Sequence, residues 1–167
     1  RPTLAQGLAT YDVIGVAGNR HCQPAQPHWT LADMTHEVPA EDKLGMLAYG
    51  PYAFSKMHSF AQPQGEVAML DYAAIGLRKE AVLAQGVRFD PVFDFYGYEV
   101  DFCRTARAAG LRLGVWPLAV THQSGASIGS KAWFAKLHAY FDKWSTPVAS
   151  DPADTQAALQ QAVNDVL

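Results

Sequence analysis

The stretch "FDPVFDFYGYEVDFCRTARAAG" (residues 89–110) sets four carboxylates, Asp90, Asp94, Glu99 and Asp101, among aromatic side chains just before a helical pattern. Apolar Phe102, Cys103, Ala106 and Ala109 follow at offsets of one, four and seven. That spacing puts them on one face of a helix over 98–109, and Gly110 is the expected stop. Acids suit a helix N-terminus, where the dipole is positive, and this accounts for Asp101. It does not account for Glu99, which follows Tyr96, Gly97 and Tyr98. A partly dehydrated carboxyl titrates closer to the range useful for proton transfer. Geometry limits the pair, because helical positions two apart lie about 200° apart. If both residues are helical they face opposite ways. If Glu99 lies in the turn before the helix, both can approach one site.

Working outward, "YDVIGVAG" (11–18) reads as a buried strand running into a glycine turn, after a helix end at 1–10. "EVAMLDYAAIGLR" (66–78) is the longest apolar run and is expected to be a strand entering the core. Asp71 inside it is a costly charge unless paired, so it is either a core hydrogen-bond acceptor or a ligand for an acceptor molecule. Arg78 at its end suits the surface or an ion pair. "KEAVLAQG" (79–86) is a short helix closed by glycine. "LGMLAYG" (44–50) and "PYAFSKMHSF" (51–60) predict two short strands around Gly50 and Pro51. "LRLGVWPLAVTH" (111–122) predicts one or two strands, broken near Pro117.

"SKAWFAKLHAYFDKW" (130–144) predicts a second helix, with Trp133, Phe134, Leu137, Tyr140, Phe141 and Trp144 on one wide face. Residues 19–43, rich in Pro, Asn, Asp and His, carry no clean period and are expected to form a long surface loop. His21, Cys22, His28 and His36 within it match no common zinc spacing. Residues 1–145 form the expected domain. Residues 146–167 are expected to be a linker and a C-terminal amphipathic helix, capped by Ser150 or Asp151. The fold class is therefore α/β, a mixed sheet with flanking helices.

The 167 residues, 49% hydrophobic and 17% charged, suit one globular domain with a substantial core. The formal net charge of −3, with no basic stripe, argues against nucleic acid as a partner. No apolar run approaches the ~20 residues of a membrane span, and no segment reads as a signal peptide. Arg1 stands where a methionine would begin a primary product, so a processed or excised piece is expected. Of the two cysteines, Cys103 sits on the apolar side of a helix and reads as a buried free thiol rather than half of a disulfide or metal pair. A reducing compartment fits, and the expected location is cytoplasmic.

"LDYAAIGLRKEAV…GVRFDPVFDFYGYEVDFCRTARAAGLRLGVWPLAVTHQSG" resembles the acceptor-side half of inverting family 2-like glycosyltransferases with the GT-A fold. In those proteins a hydrophobic strand ends in Arg, and a Phe-Asp-x-x-Phe segment follows, here "FDPVF". Next come a Gly-Glu-Asp-x-Asp-like element at a helix start, here "GYEVDF", an "RA…G" helix, a strand and a histidine, here His122. "YDVIGVAG" also resembles the strand after the donor site in a subset of these enzymes. The likeness covers residues 11–18 and 66–144.

The resemblance implies transfer of a sugar from a nucleotide-sugar donor to the hydroxyl of a glycan or other acceptor, with inversion. One carboxylate would take the hydroxyl proton, and a divalent cation (Mn or Mg) would steady the leaving diphosphate. Glu99 and Asp101 are the catalytic candidates. The family has Asp at the position of Glu99 and Glu at that of Tyr98, so either carboxylate can be the base. Asp71, Tyr98 and Trp116 are the candidates for acceptor binding, with Tyr96 and Phe95 as further aromatic surface. His122 is a candidate metal ligand. The family's donor half, with its Asp-x-Asp motif, has no counterpart upstream of "YDVIGVAG". The chain alone is thus expected to bind no metal tightly, to be inactive, and to carry an apolar surface beside strand 11–16 where that half would pack. The alternative is a non-catalytic module that keeps this fold to bind a glycan or a neighbouring domain.

Overall fold

The computed structural model describes residues 2–53, 56–123 and 128–144. They form a mixed α/β fold of two sheets with flanking helices. The expected linker and C-terminal helix lie outside the described residues.

Helix α1 (Leu4–Thr10) starts at Thr3, whose side chain and that of Gln6 cap each other's backbone N–H groups. Strands β1 (Val13–Gly15) and β2 (Ala17–Asn19) follow, then β3 (Lys43–Tyr49) and β4 (Lys56–Ser59). Next come β5 (Gly65–Val67), β6 (Met69–Leu70), β7 (Ile75–Leu77) and α2 (Lys79–Ala84). Helix α3 (Tyr98–Ala108), β8 (Leu113–Val115), β9 (Thr121–His122) and α4 (Lys131–Lys143) complete the order.

The first sheet runs β5-β8-β1-β7, with β1 parallel to β8 and antiparallel to β7. The second runs β4-β3-β2-β6, and β9 adds to β3 in parallel. The stretches expected to be single strands at 11–18 and 66–78 each pass from one sheet to the other. The first breaks at Val16, between β1 and β2, and the second at Ala68, between β5 and β6. Both corner residues are buried. Hydrophobic content therefore runs unbroken through a bend that the backbone must make, and the apolar pattern does not mark it. Residues 111–122 make the same passage through β8 and β9, interrupted at Pro117 as the sequence predicts.

Beside strand 11–16, where an apolar surface is expected, the described residues already provide cover. Strand β1 is the interior of its sheet, hydrogen-bonded to β7 and β8, and it is buried at all three residues. Segments within the chain supply both neighbours. Helix α1 also covers it. A Cβ at Gly7 would come within 2.7 Å of Ile14 and 2.8 Å of Trp116, so only glycine lets the helix approach this closely.

The core lies between the sheets and helices α3 and α4. Phe102, Cys103 and Ala106 of α3 are buried, as are Trp133, Leu137, Tyr140 and Phe141 of α4. The backbone N–H of Leu70 on β6 points at the Cys103 sulfur, 3.4 Å away. Cys103 is a buried free thiol, and Cys22 is free and half-buried. Arg78 pairs with Asp12 at 3.2 Å.

The segment expected to be a surface loop has a buried centre. Gln26, His28, Trp29, Thr30 and Leu31 are all buried. The fully buried Asn19 holds it in place: its side-chain amide donates to the Trp29 carbonyl, and its carbonyl oxygen accepts from His21 N–H at 2.6 Å. Gln26 Nε2 donates to the His28 carbonyl at 3.2 Å. Polar side chains here satisfy buried backbone groups, which is why a polar composition does not mean a solvated loop.

Candidate active site

Helix α3 begins at Gly97, whose φ of 80° lies in the left-handed region. A Cβ there would meet the Phe93 ring at 3.2 Å. Glycine thus sets the entry angle of the helix, and the next residues, Tyr98 and Glu99, are delivered to one end of a cavity. The cavity holds about 330 Å³ of empty space, part of it open to solvent. Tyr72, Phe95, Tyr96, Tyr98 and Trp133 give it aromatic walls, with Ile128 beside them. Besides the tyrosine hydroxyls, the polar side chains lining it are those of Glu99 and His28, and among the described residues no lysine or arginine lines it.

Glu99 is 5% exposed. Burial pushes its carboxyl up to about 7, opposed by its own backbone N–H and reinforced by the nearby charge of Asp71. Both forms of the acid are therefore populated near neutrality, as a general base requires. Burial, with the charge of Glu99 second, also pushes the Tyr98 phenol up to about 12.

Asp101, two residues on, lies on the other face of the helix, because both residues are inside α3. It is 1% exposed. Its carboxylate accepts from Lys143 Nζ and from Trp144 Nε1, each at 2.9 Å. Lys143 also reaches Asp90 at 2.8 Å, and Lys136 reaches Asp94 at the same distance. Three of the four acids in the 89–110 stretch thus tie the loop and helix α3 to α4. Glu99 alone faces the cavity.

Asp71 follows β6, with its backbone N–H on the Ala17 carbonyl at 2.9 Å. Its carboxylate accepts from Ala73 N–H at 2.7 Å and from the Trp29 side chain. Burial raises it to about 6 in spite of these bonds. It does not line the cavity; it stands behind it as a second buried acid.

Trp116, expected on the acceptor surface, lies elsewhere. Its N–H bonds to Gly15 O at 2.9 Å, continuing the pairing of β8 with β1, and its ring packs under α1. The sheet register decides this, and it carries the indole away from Glu99.

His122, at the end of β9, meets the Tyr72 ring edge-on at 5.4 Å and that of Tyr49 at 6.3 Å. Tyr72 also contacts Tyr98 at 6.5 Å and His28 at 6.4 Å. His122 is thus one ring removed from the cavity, on the same side of the fold as Glu99. Burial lowers its pKa, and its Nε2 is buried with no hydrogen-bond partner among the described residues. One imidazole supplies one of the three or four protein ligands that a metal site takes. The described residues contain no group of three or more His, Cys, Asp or Glu side chains that could hold an ion. These residues alone do not fit a divalent cation.

Two members of the site were not found by sequence reasoning. Tyr72 is the ring that joins His28, Tyr98 and His122, and His28 is the second polar group of the lining. The available signal was Trp29, a large aromatic in a polar, proline-rich segment. Such a residue marks a loop that packs inward. Among the described residues no helix is long and apolar enough to cross a membrane. No family model, no curated protein and no solved structure matches the chain.

Proposed function

We propose that this is the acceptor-side part of a GT-A-like glycosyltransferase, transferring a sugar from a nucleotide-sugar donor to an acceptor hydroxyl with inversion, and that Glu99 is its base. The observation that carries this reading is one buried carboxyl, pushed up to about 7 by its burial, in a cavity walled by aromatic rings. Sugar rings present apolar C–H faces that suit aromatic walls, while their hydroxyls need a few placed polar groups.

In the reaction the acceptor oxygen attacks the anomeric carbon from the face opposite the diphosphate. A C–O bond forms there as the bond to the phosphate oxygen breaks. The hydroxyl proton passes to the Glu99 carboxylate, and the nucleoside diphosphate leaves with the electron pair. Asp101 takes no part, since Lys143 and Trp144 hold it on the other side of α3. Asp71 acts through Glu99, because its charge favours return of the base to its protonated form.

The test is a panel of radiolabelled nucleotide sugars incubated with mixed glycan acceptors and the full protein that carries these residues. Labelled product of inverted anomeric configuration is the expected result. Retained configuration would exclude the mechanism. Glycan binding without transfer from any donor would favour the non-catalytic module instead.

A further inference from the structure

The histidine of the cavity is in a defined protonation state. The backbone N–H of Thr30 donates to His28 Nδ1 at 3.3 Å, and the Thr30 hydroxyl lies 2.8 Å from the same nitrogen. A backbone N–H cannot accept, so Nδ1 must offer its lone pair. Burial, with Lys43 adding to it, drives the ring's pKa down to about 4 and keeps it neutral. The single proton of the neutral ring is then on Nε2. That N–H is buried and has no partner among the described residues, while His28 itself is 6% exposed and lines the cavity beside Glu99. The backbone that carries it is pinned by Gln26 and, at Trp29, by Asn19.

A buried donor held this firmly needs an acceptor that the described residues do not supply. We infer that His28 is an acceptor-binding residue, whose Nε2–H donates to an oxygen of the acceptor molecule while Glu99 receives a hydroxyl of the same molecule. The inference rests on the glycosyl-transfer reading and names a residue of that same site. A ligand with one oxygen to accept, one hydroxyl to donate and an apolar face for the rings of Tyr72 and Tyr98 is a neutral carbohydrate. A phosphate lacks a cation here, since none among the described residues lines the cavity.

Long-range ¹H–¹⁵N NMR of the histidine rings reads the tautomer in the unaltered protein, so it does not depend on any variant folding. A neutral His28 with its proton on Nε2 at pH 6.5 is expected; a proton on Nδ1, or a charged ring, overturns the inference. Methyl glycosides of the common hexoses, pentoses and 6-deoxyhexoses then serve as binding probes, followed by NMR shifts. For those that bind, the His28 Nε2 resonance should move. His28→Phe should weaken binding at least tenfold, and His28→Gln, which keeps an N–H donor, should stay within a few-fold. Equal binding by His28→Phe and the unaltered protein overturns the role of His28 and leaves the glycan reading standing. If no glycoside binds the unaltered protein, both fall, even with the tautomer as expected.

Discussion

Glu99 and Asp101 stand two residues apart on one helix, equally buried and oppositely employed. Asp101 meets Lys143 and Trp144 from α4, and its charge is satisfied by charge-assisted hydrogen bonds. Glu99 shares a cavity with aromatic rings and a neutral histidine, and burial pushes its carboxyl up to about 7. One carboxylate fastens two helices together. The other is kept poorly solvated, and burial favours its protonated form. The difference teaches that burial of an acid says little by itself; what faces it decides whether it stabilises the fold or strains against it.

The contrast can be broken most sharply through activity. Glu99→Gln removes the proposed base while keeping the size of the side chain. Turnover in the full protein should fall by at least ~10²-fold, the low end for loss of a general base. On the glycosyl-transfer proposal, kcat/KM of the unaltered protein should rise about tenfold per pH unit below pH 7 and level off above it, because a general base works unprotonated. A Glu99→Gln enzyme within a few-fold of wild type, or a flat profile from pH 5 to 8, would remove Glu99 from the reaction.

The same substitution should have the opposite effect on stability. Glu99 has a raised folded-state pKa, so between about 4.5 and 7 the folded chain binds more protons than the unfolded one. Stability therefore declines as pH rises through that window, and above it the ionised carboxyl destabilises the fold by a few kcal/mol at most. Urea unfolding at pH 8 should find Glu99→Gln more stable than the parent, with the gain fading toward pH 4.5. A loss of stability at pH 8 would mean that the Glu99 charge is better satisfied than its surroundings indicate.

Asp101→Ala should act in the reverse sense. It strips two charge-assisted hydrogen bonds from the α3–α4 contact, and about 2–3 kcal/mol of stability should be lost at pH 7. Lys143 is partly exposed and can turn to water or to Asp90, which keeps the cost below that of a fully buried pair. Denaturant midpoints measure the loss, and an unchanged midpoint would show that the pair is idle. The smallest effect is expected at Trp116. Trp116→Phe should leave glycoside affinity within twofold of wild type, since the indole lies under α1 rather than in the cavity. A tenfold loss in the same NMR titration would place the acceptor surface on the wrong side of the sheet.

Local pattern made much of this legible. The apolar stripe of Phe102, Cys103 and Ala106 and the stop at Gly110 place α3 within a residue of where it lies. The face containing Trp133, Leu137, Tyr140 and Phe141 does the same for α4. The hairpin of β3 and β4 follows from two apolar runs around Gly50 and Pro51. These features depend on contacts within a few residues, and period and turn chemistry report them directly.

Glu99 stood out as an acid among Tyr96, Gly97 and Tyr98, a matter of neighbours in the chain. That it and Asp101 are both helical, and so cannot share a proton, is a matter of where α3 begins. The passage of 11–18 and 66–78 between two sheets, the interior place of β1 and the removal of Trp116 to α1 depend on strand register, which pairs residues far apart in sequence. His28 depends on it most, being brought beside Glu99 across 71 positions by a polar loop whose centre folds inward. The sequence by itself determined the helices α3 and α4, the glycine stop of α3 and the acid most worth suspecting. Tertiary structure alone decided which acid faces a cavity and what stands opposite it, because a side chain's burial and partners are set by the whole chain's packing and not by its neighbours in line.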